Sequence, residues 1–431
     1  MGAQSVGPPA RGRVGMGRFW CRRPRSWCSH TSLGRPTAGS HLNLSELPPC
    51  RGHGRIPDPG VEDLEGTSLS GKLGVALAYP HALNVGGYPR DVRWLAASLA
   101  ALGARVTLLS QRGIHSEGLS PVVQMRPLSD LMTVAREVDL VHVLGLYIPA
   151  HVRLFHALAR VRVPLVVSPF ANLMPFAHRV HRWKKALFLA LISRWIDRAV
   201  LHTFGPVETE SIRAHFGART LFEATLGIFP VEVDPPIHAT PNGGILQLLF
   251  FGRNDIYQKG IDLLLEGFAR AVEAGGALAL TIAGQPFRGS EASIRRFLEH
   301  RGLTSAVNVI GAVDAYEKWR LLSSADYLVF LSRCDGPPRP IREAIAIGTP
   351  VIVSPETNLG HIVRACDAGV ETDLNPSRIA ETLMQVGAGQ HRERERFAAG
   401  AKRAQARLAW SRVAGEYLDG YQRCLTGFAT G

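Results

Sequence analysis

The stretch "FFGRNDIYQKG", Phe250 to Gly260, ends an apolar run and places Arg253 and Lys259 six positions apart in a loop. A helical pattern, "GIDLLLEGFARAVEAG", starts at Gly260. A strand, a loop and a helix in that order form the phosphate-holding corner of an α/β fold, because loop amides and the helix N-terminus face the strand end. Two cations in such a corner point to a bound anion.

The segments around this corner repeat the same alternation. Strand-like runs fall at "ILQLLFFG" (Ile245 to Gly252), "LALTIAG", "VNVIGAV", "DYLVFLS" and "PVIVS", with helical patterns such as "DAYEKWRLLSSA" between them. Upstream, "KLGVALAYP" is followed by the turn "NVGG" and by Val92, Leu95, Leu99 and Leu102 at helical spacing, before "RVTLLS" returns to strand character. Further alternation runs through "DLVHVLGLYIP", "AHVRLFHALARV" and "PLVVSPF", and "HRWKKALFLALISRWIDRAVLHTF" reads as a long helix entering a short strand. The pattern predicts an α/β protein with two doubly wound, Rossmann-like domains facing across a cleft. The expected divisions are a tail at 1–70, a first domain at 71–235, a linker at 236–244 within the breaker-rich "EVDPPIHATPNGG", a second domain at 245–409, and a C-terminal helix at 410–431 packed back on the first domain.

The formal charge of the 431-residue chain is +13, which by itself suggests a nucleic-acid binder. Residues 1–57 hold nine Arg, no Lys and the single acid Glu46, so about eight of those charges sit in a Gly-, Pro- and Ser-rich tail without periodicity. That tail reads as disordered. It has no apolar signal region; it is Arg- and Ser-rich and acid-poor like a transit peptide but holds too many Gly and Pro for a good amphipathic helix, and an upstream extension of the true start is an equal reading. The folded part is only mildly basic, and no nucleic-acid partner is expected.

Cys21, Cys28 and Cys50 lie in the tail, while Cys334, Cys366 and Cys424 are scattered beyond it. The grouping of Cys21, Cys28 and His30 fits no standard zinc spacing, so no metal site is expected. Reduced thiols are the simplest reading and place the protein in the cytoplasm. The longest apolar run, "ALFLALISRWI", stops at eleven residues, short of a membrane span. Arg179 to Arg198 is nevertheless basic and edged by Trp183, Phe188, Leu191 and Trp195, a composition open to two readings. It suits a helix resting on an anionic membrane at its inner face, or an ordinary amphipathic helix packed on its sheet.

Taken together, "GRNDIYQKGIDLLLEGF" and "SRCDGPPRPIREAIAIGTPVIVS" resemble the phosphate-binding and acidic signatures of the retaining GT-B glycosyltransferases of family 4, the group 1 glycosyltransferases. "VGGYPRDVRWLAASLAALGARVTLL", "SPFANLMPFAHRVHRWKKALF" and "AWSRVAGEYLDGY" resemble that family's other segments in the same order, so the likeness covers nearly everything after residue 70. It implies transfer of a hexose-type sugar from a nucleotide-sugar donor to a glycan or lipid-linked glycan in polysaccharide or glycoconjugate synthesis. Arg253 and Lys259 would then hold the diphosphate and stabilise the leaving charge, so that no metal or other cofactor is needed. Asp335 would stand beside the donor sugar and Glu343 would bind the ribose hydroxyls. Gly86, Gly87, Gly252 and Gly336 would let backbone approach the ligand, and His142, with His81 as a second candidate, would face the cleft from a strand end.

Three positions depart from the family pattern. Asp335 stands where Glu is usual, Pro337 and Pro338 remove two backbone donors, and Phe170 replaces a His that contacts the sugar. A catalytically impaired nucleotide-sugar-binding partner of a glycosyltransferase complex is therefore the alternative expectation.

Overall fold

The computed structural model of the protein describes residues 73–80, 88–111, 122–147, 149–179, 182–217, 219–231 and 244–429. The tail at 1–70, most of the linker, Cys21, Cys28, Cys50, His81, Gly86 and Gly87 lie outside the described residues.

Seven strands form the first sheet: β1 (Gly74–Tyr79), β2 (Arg105–Ser110), β3 (Gln124–Pro127), β4 (Leu140–Leu144), β5 (Leu165–Ser168), β6 (Val200–Thr203) and β7 (Leu221–Glu223). Their order is β3-β2-β1-β4-β5-β6-β7, and every pairing is parallel. The second sheet has six: β8 (Leu246–Phe251), β9 (Leu278–Ala283), β10 (Val307–Ile310), β11 (Tyr327–Phe330), β12 (Val351–Val353) and β13 (Gly369–Glu371). It runs β10-β9-β8-β11-β12-β13, again all parallel. The strand order therefore reverses between β1 and β4 in one sheet and between β8 and β11 in the other. Loops at these reversals diverge to opposite faces and leave a crevice at the strand ends.

Parallel sheets need cover on both faces, and the alternation of side chains supplies two apolar surfaces. Val75, Leu77 and Tyr79 of β1 join one core with Val92, Leu95 and Leu99 of the helix Tyr88–Ala101. Ala76 and Ala78 face the opposite core, built with Val141, Val143, Phe155, Ile192 and Trp195. The helix Trp410–Ala429 places Val413, Tyr417 and Tyr421 in the first of these cores, against Phe222, and so returns from the second sheet to the first. The chain passes between the sheets twice, and the two passes touch: Ile228 N–H donates to Leu408 O at 2.9 Å.

The strands β3, β7 and β13 were not visible in the sequence pattern. Their segments, "QMRP", "LFE" and "GVE", are short and only partly buried, and they are held as edge or near-edge strands by a paired neighbour.

Candidate active site

Loops from both reversals line a cavity of about 880 Å³. Arg253 and Lys259 reach it from the loop after β8 and Asp335 from the loop after β11, so the two strands flanking the reversal each deliver charge to one place. Lys259 Nζ donates to Asp335 Oδ2 at 2.5 Å, with both side chains mostly shielded. An ammonium group carries three donors and this contact uses one of them. Arg253 is half exposed, donates to Gln258 Oε1 at 2.9 Å and stacks over the Phe287 ring at 4.7 Å. Gln258 in turn donates to Cys334 O at 3.1 Å, which couples the two loops. Burial pushes the Cys334 thiol up to about 12, so it stays protonated and is a poor nucleophile.

Local backbone rules fix this corner. Gly260 begins the helix Ile261–Glu273 at φ 67°, and a Cβ there would lie 1.9 Å from Leu331 O. Only glycine lets the Lys259 turn sit against the end of β11. Gly336 is the second such point: a Cβ would meet the Tyr88 hydroxyl at 2.8 Å and the Phe204 ring at 3.0 Å, both from the first sheet. Pro337 and Pro338 follow it on the cavity wall, where they offer no N–H.

The opposite wall is aromatic. Tyr88 and Phe170 stack with centroids 4.7 Å apart at 13°, and Phe204 continues the stack behind Phe170 at 5.5 Å. Phe170 and Ala171 both hold left-handed backbone, at φ 56° and 59°. Such residues cost roughly 1–3 kcal/mol each and persist only where their surroundings over-determine them. Here the buried Glu208 does so, accepting from Ala171 N–H at 2.7 Å and from Phe204 N–H at 3.0 Å. Burial raises its carboxyl to about 7 against the pull of those two amides. Asn358 then ties this support to the loop after β11: its Oδ1 accepts from Glu208 N–H at 3.1 Å while its Nδ2 donates to Asp335 O at 2.8 Å.

The sites expected from sequence fall into three groups. Arg253, Lys259, Asp335, Gly252 and Gly336 meet around the cavity. Glu343 sits behind its wall on the helix Arg339–Ile347, is almost fully buried, and accepts from Lys318 Nζ at 2.7 Å. His142 is a correction. It lies inside β4 rather than at its end, and alternation turns it towards the helix Trp410–Ala429 instead of the cleft. There it is fully buried between Tyr421 Oη at 2.7 Å and Ser168 Oγ at 2.6 Å, and Ser168 continues to His202 at 2.7 Å. Desolvation and the neighbouring His202 hold its pKa well below the usual value, so it is a neutral core residue.

Sequence reading missed Asp91, Glu208, Arg342 and Asn358. Asp91 had a detectable signal, since it stands four residues before Leu95 on the buried side of its helix. Asn358 had none.

The similarity to known proteins agrees with this geometry. Residues 240–404 match the model of the glycosyl transferases group 1 family. A phosphatidyl-myo-inositol mannosyltransferase of Mycobacterium leprae (strain TN) is 28% identical over 191 residues, covering 42% of this chain and 47% of the relative. A GDP-mannose:cellobiosyl-diphosphopolyprenol alpha-mannosyltransferase of Xanthomonas campestris is 27% identical over 182 residues, 41% of this chain and 47% of the relative. The matches span about half the length of these curated relatives. Among solved structures, HepE of Anabaena in complex with UDP superposes with a TM-score of 0.61 at 14% identity, over 81% of this chain and all of that one. The fold is GT-B. The segment similar to the group 1 glycosyltransferases holds the second sheet and the loops that bear Arg253, Lys259 and Asp335.

Proposed function

We propose that this protein is a glycosyltransferase that moves a hexose from a nucleotide-sugar donor to a glycan or lipid-linked glycan acceptor. The observation that carries the reading is the Lys259–Asp335 pair at 2.5 Å beside Arg253, on a cavity large enough for a nucleotide sugar. Transfer breaks the bond between the anomeric carbon and the phosphate oxygen while an acceptor hydroxyl attacks that carbon. The diphosphate leaves with the bonding electrons, and its departing oxygen takes up the proton of the attacking hydroxyl. Arg253 offers a planar fork to its oxygens, and the free donors of Lys259 add a point charge where negative charge grows. Asp335 keeps that ammonium aimed at the leaving group, and the Tyr88–Phe170 wall faces the sugar with apolar surface.

Two curated relatives carry mannosyltransferase names, and one names GDP-mannose as its donor. GDP-mannose is therefore the first donor to try. Release of nucleoside diphosphate is measured for GDP-mannose, UDP-glucose and an ADP-sugar, with and without glycan or lipid extract, for the native chain and Lys259→Ala. Turnover that disappears in the variant supports the transferase and names the donor. Binding of a nucleotide with no turnover anywhere in the panel supports a catalytically impaired binding partner, which Pro337, Pro338 and Phe170 favour because each removes a polar contact from the sugar side of the cavity.

A further inference from the structure

Glu208 is fully buried on the helix Pro206–Phe216, and each of its carboxyl oxygens meets one amide: Oε1 accepts from Ala171 N–H and Oε2 from Phe204 N–H. The other polar group of Ala171 is engaged as well, because its carbonyl accepts from Cys334 Sγ at 3.4 Å. Cys334 directly precedes Asp335 in the loop after β11. A second path leaves from the Glu208 main chain. Its N–H meets Asn358 Oδ1, and Asn358 Nδ2 sends one hydrogen to Asp335 O and the other to Met174 Sδ at 3.4 Å. With its oxygen and both of its N–H groups engaged, the Asn358 amide has a single orientation. Glu208 thus reaches the Cys334–Asp335 turn by two routes, one from its side chain and one from its main chain, while it also holds Phe170 beside Tyr88.

The two charge states of Glu208 do not fit this setting equally. A carboxylate is an acceptor on both oxygens and satisfies two amide donors; the acid form carries a hydrogen on one oxygen and turns it on those donors. Burial nevertheless keeps the proton in place up to about pH 7. The ionisable groups around it do not change charge there. Burial raises Tyr88, Tyr417 and Cys334, so all three stay neutral, and it holds His202 down to about 3. His361, which lies beside Gly205, is also pushed down by burial. Asp335 and Asp91 are ion-paired with Lys259 and Arg342, and Lys185, the cation beyond Cys334, donates to Ala177 O at 2.6 Å.

We infer that Glu208 is a positioning residue for sugar transfer: when ionised it clamps Ala171 and Phe204 and sets the Cys334–Asp335 turn against Lys259, and when protonated it lets that turn loosen. Turnover then rises as Glu208 gives up its proton. The link to turnover rests on the transferase reading, whereas the clamp does not.

Two measurements on the full chain test this, for the native protein, Glu208→Gln and Asn358→Gly. Gln keeps one acceptor oxygen but turns N–H donors on the second amide. Gly suits the φ of 56° at position 358 and deletes the bridging amide. Amide hydrogen exchange is read by mass spectrometry at about one pH unit below and above 7. In Glu208→Gln exchange should rise by about tenfold or more in the peptide covering residues 168–174 and also in the one covering 332–336, where Asp335 N–H is held by Glu356 O. The gap from the native chain should be wide at the higher pH and close at the lower. Asn358→Gly should raise exchange in 332–336 alone. In the second measurement, release of nucleoside diphosphate, native kcat should climb with pH and level off above about 7. Glu208→Gln should be roughly tenfold to a hundredfold slower and flat over that range, with KM changed less than kcat.

Exchange that rises only in 168–174, a Glu208→Gln profile that keeps the native acid limb, or an Asn358→Gly chain that exchanges like the native one would overturn the proposal. If Glu208→Gln does not unfold cooperatively, Asn358→Gly and the pH dependence of native exchange decide in its place. If the native chain turns over no donor, the transferase reading fails, and the exchange pattern by itself upholds or overturns the clamp.

Discussion

Arg342 of the second sheet's helix Arg339–Ile347 donates from Nη1 to Asp91 Oδ1 of the first sheet's helix at 2.8 Å, and neither side chain is more than 5% exposed. The same Nη1 reaches Gly227 O at 2.5 Å, and the guanidinium lies over the Phe229 ring at 5.3 Å. A buried charge pair in the wall of the cavity therefore joins the elements packed on the two sheets.

Removing one member of such a pair leaves the other charge buried and uncompensated, at a cost of about 3–5 kcal/mol. Asp91→Asn should lower the unfolding free energy by that order, and Asp91→Asn/Arg342→Met should recover part of the loss. Urea denaturation of both variants and of Arg342→Met alone completes the double-mutant cycle. Strict additivity of the two single changes would show that the contact carries no coupling.

Lys259→Ala should reduce sugar-donor turnover by roughly a hundredfold or more, the usual effect of deleting one donor to a developing charge. Asp335→Asn should cost less, because it keeps the shape of the loop and only loosens the ammonium. Steady-state release of nucleoside diphosphate separates the two, and an Asp335→Asn defect larger than that of Lys259→Ala would give the carboxylate a direct part in the chemistry.

Glu208 makes stability depend on pH. Its carboxyl titrates near 4.5 when exposed and about 7 when folded, so the folded protein keeps a proton that the unfolded chain releases between those values. This stabilisation is complete below pH 4.5 and is lost as the pH rises through about 7, by the order of 3 kcal/mol. Glu208→Gln has no proton to lose, and its urea midpoint should fall less over that interval than the native one. Parallel pH profiles for the two proteins would refute the assignment.

Two glycines should respond in opposite directions. Gly260→Ala drives a Cβ to 1.9 Å from the Leu331 carbonyl and should prevent the Lys259 turn from forming, with the loss of both stability and nucleotide binding. Gly415→Ala, inside the helix Trp410–Ala429 with nothing within 4 Å of the added carbon, should raise stability by about 0.5–1 kcal/mol. Thermal unfolding of the pair checks both signs.

The parts legible in sequence were those with a local code. Period-two and helical spacing located ten of the thirteen strands, and cations in a strand-loop-helix corner located the cavity. His142 was misplaced because alternation tells that a side chain leaves the sheet but not which helix covers that side; the partner, Tyr421, is 279 residues away. The Asp91–Arg342 contact spans 251 residues and the Glu208–Asn358 contact 150, so no window along the chain contains either. Glu343 had a local signature, yet its ion pair with Lys318 depends on how two helices of the second sheet face each other.

The hydrogen bond between Ile228 and Leu408 sets the two passages of chain between the sheets side by side. Two neighbouring tethers act like the pins of a door hinge: they leave one easy rotation, about a line through themselves, and resist sliding and twisting. Opening and closing would then carry Tyr88 and Phe170 towards Arg253 and Lys259 along a fixed arc.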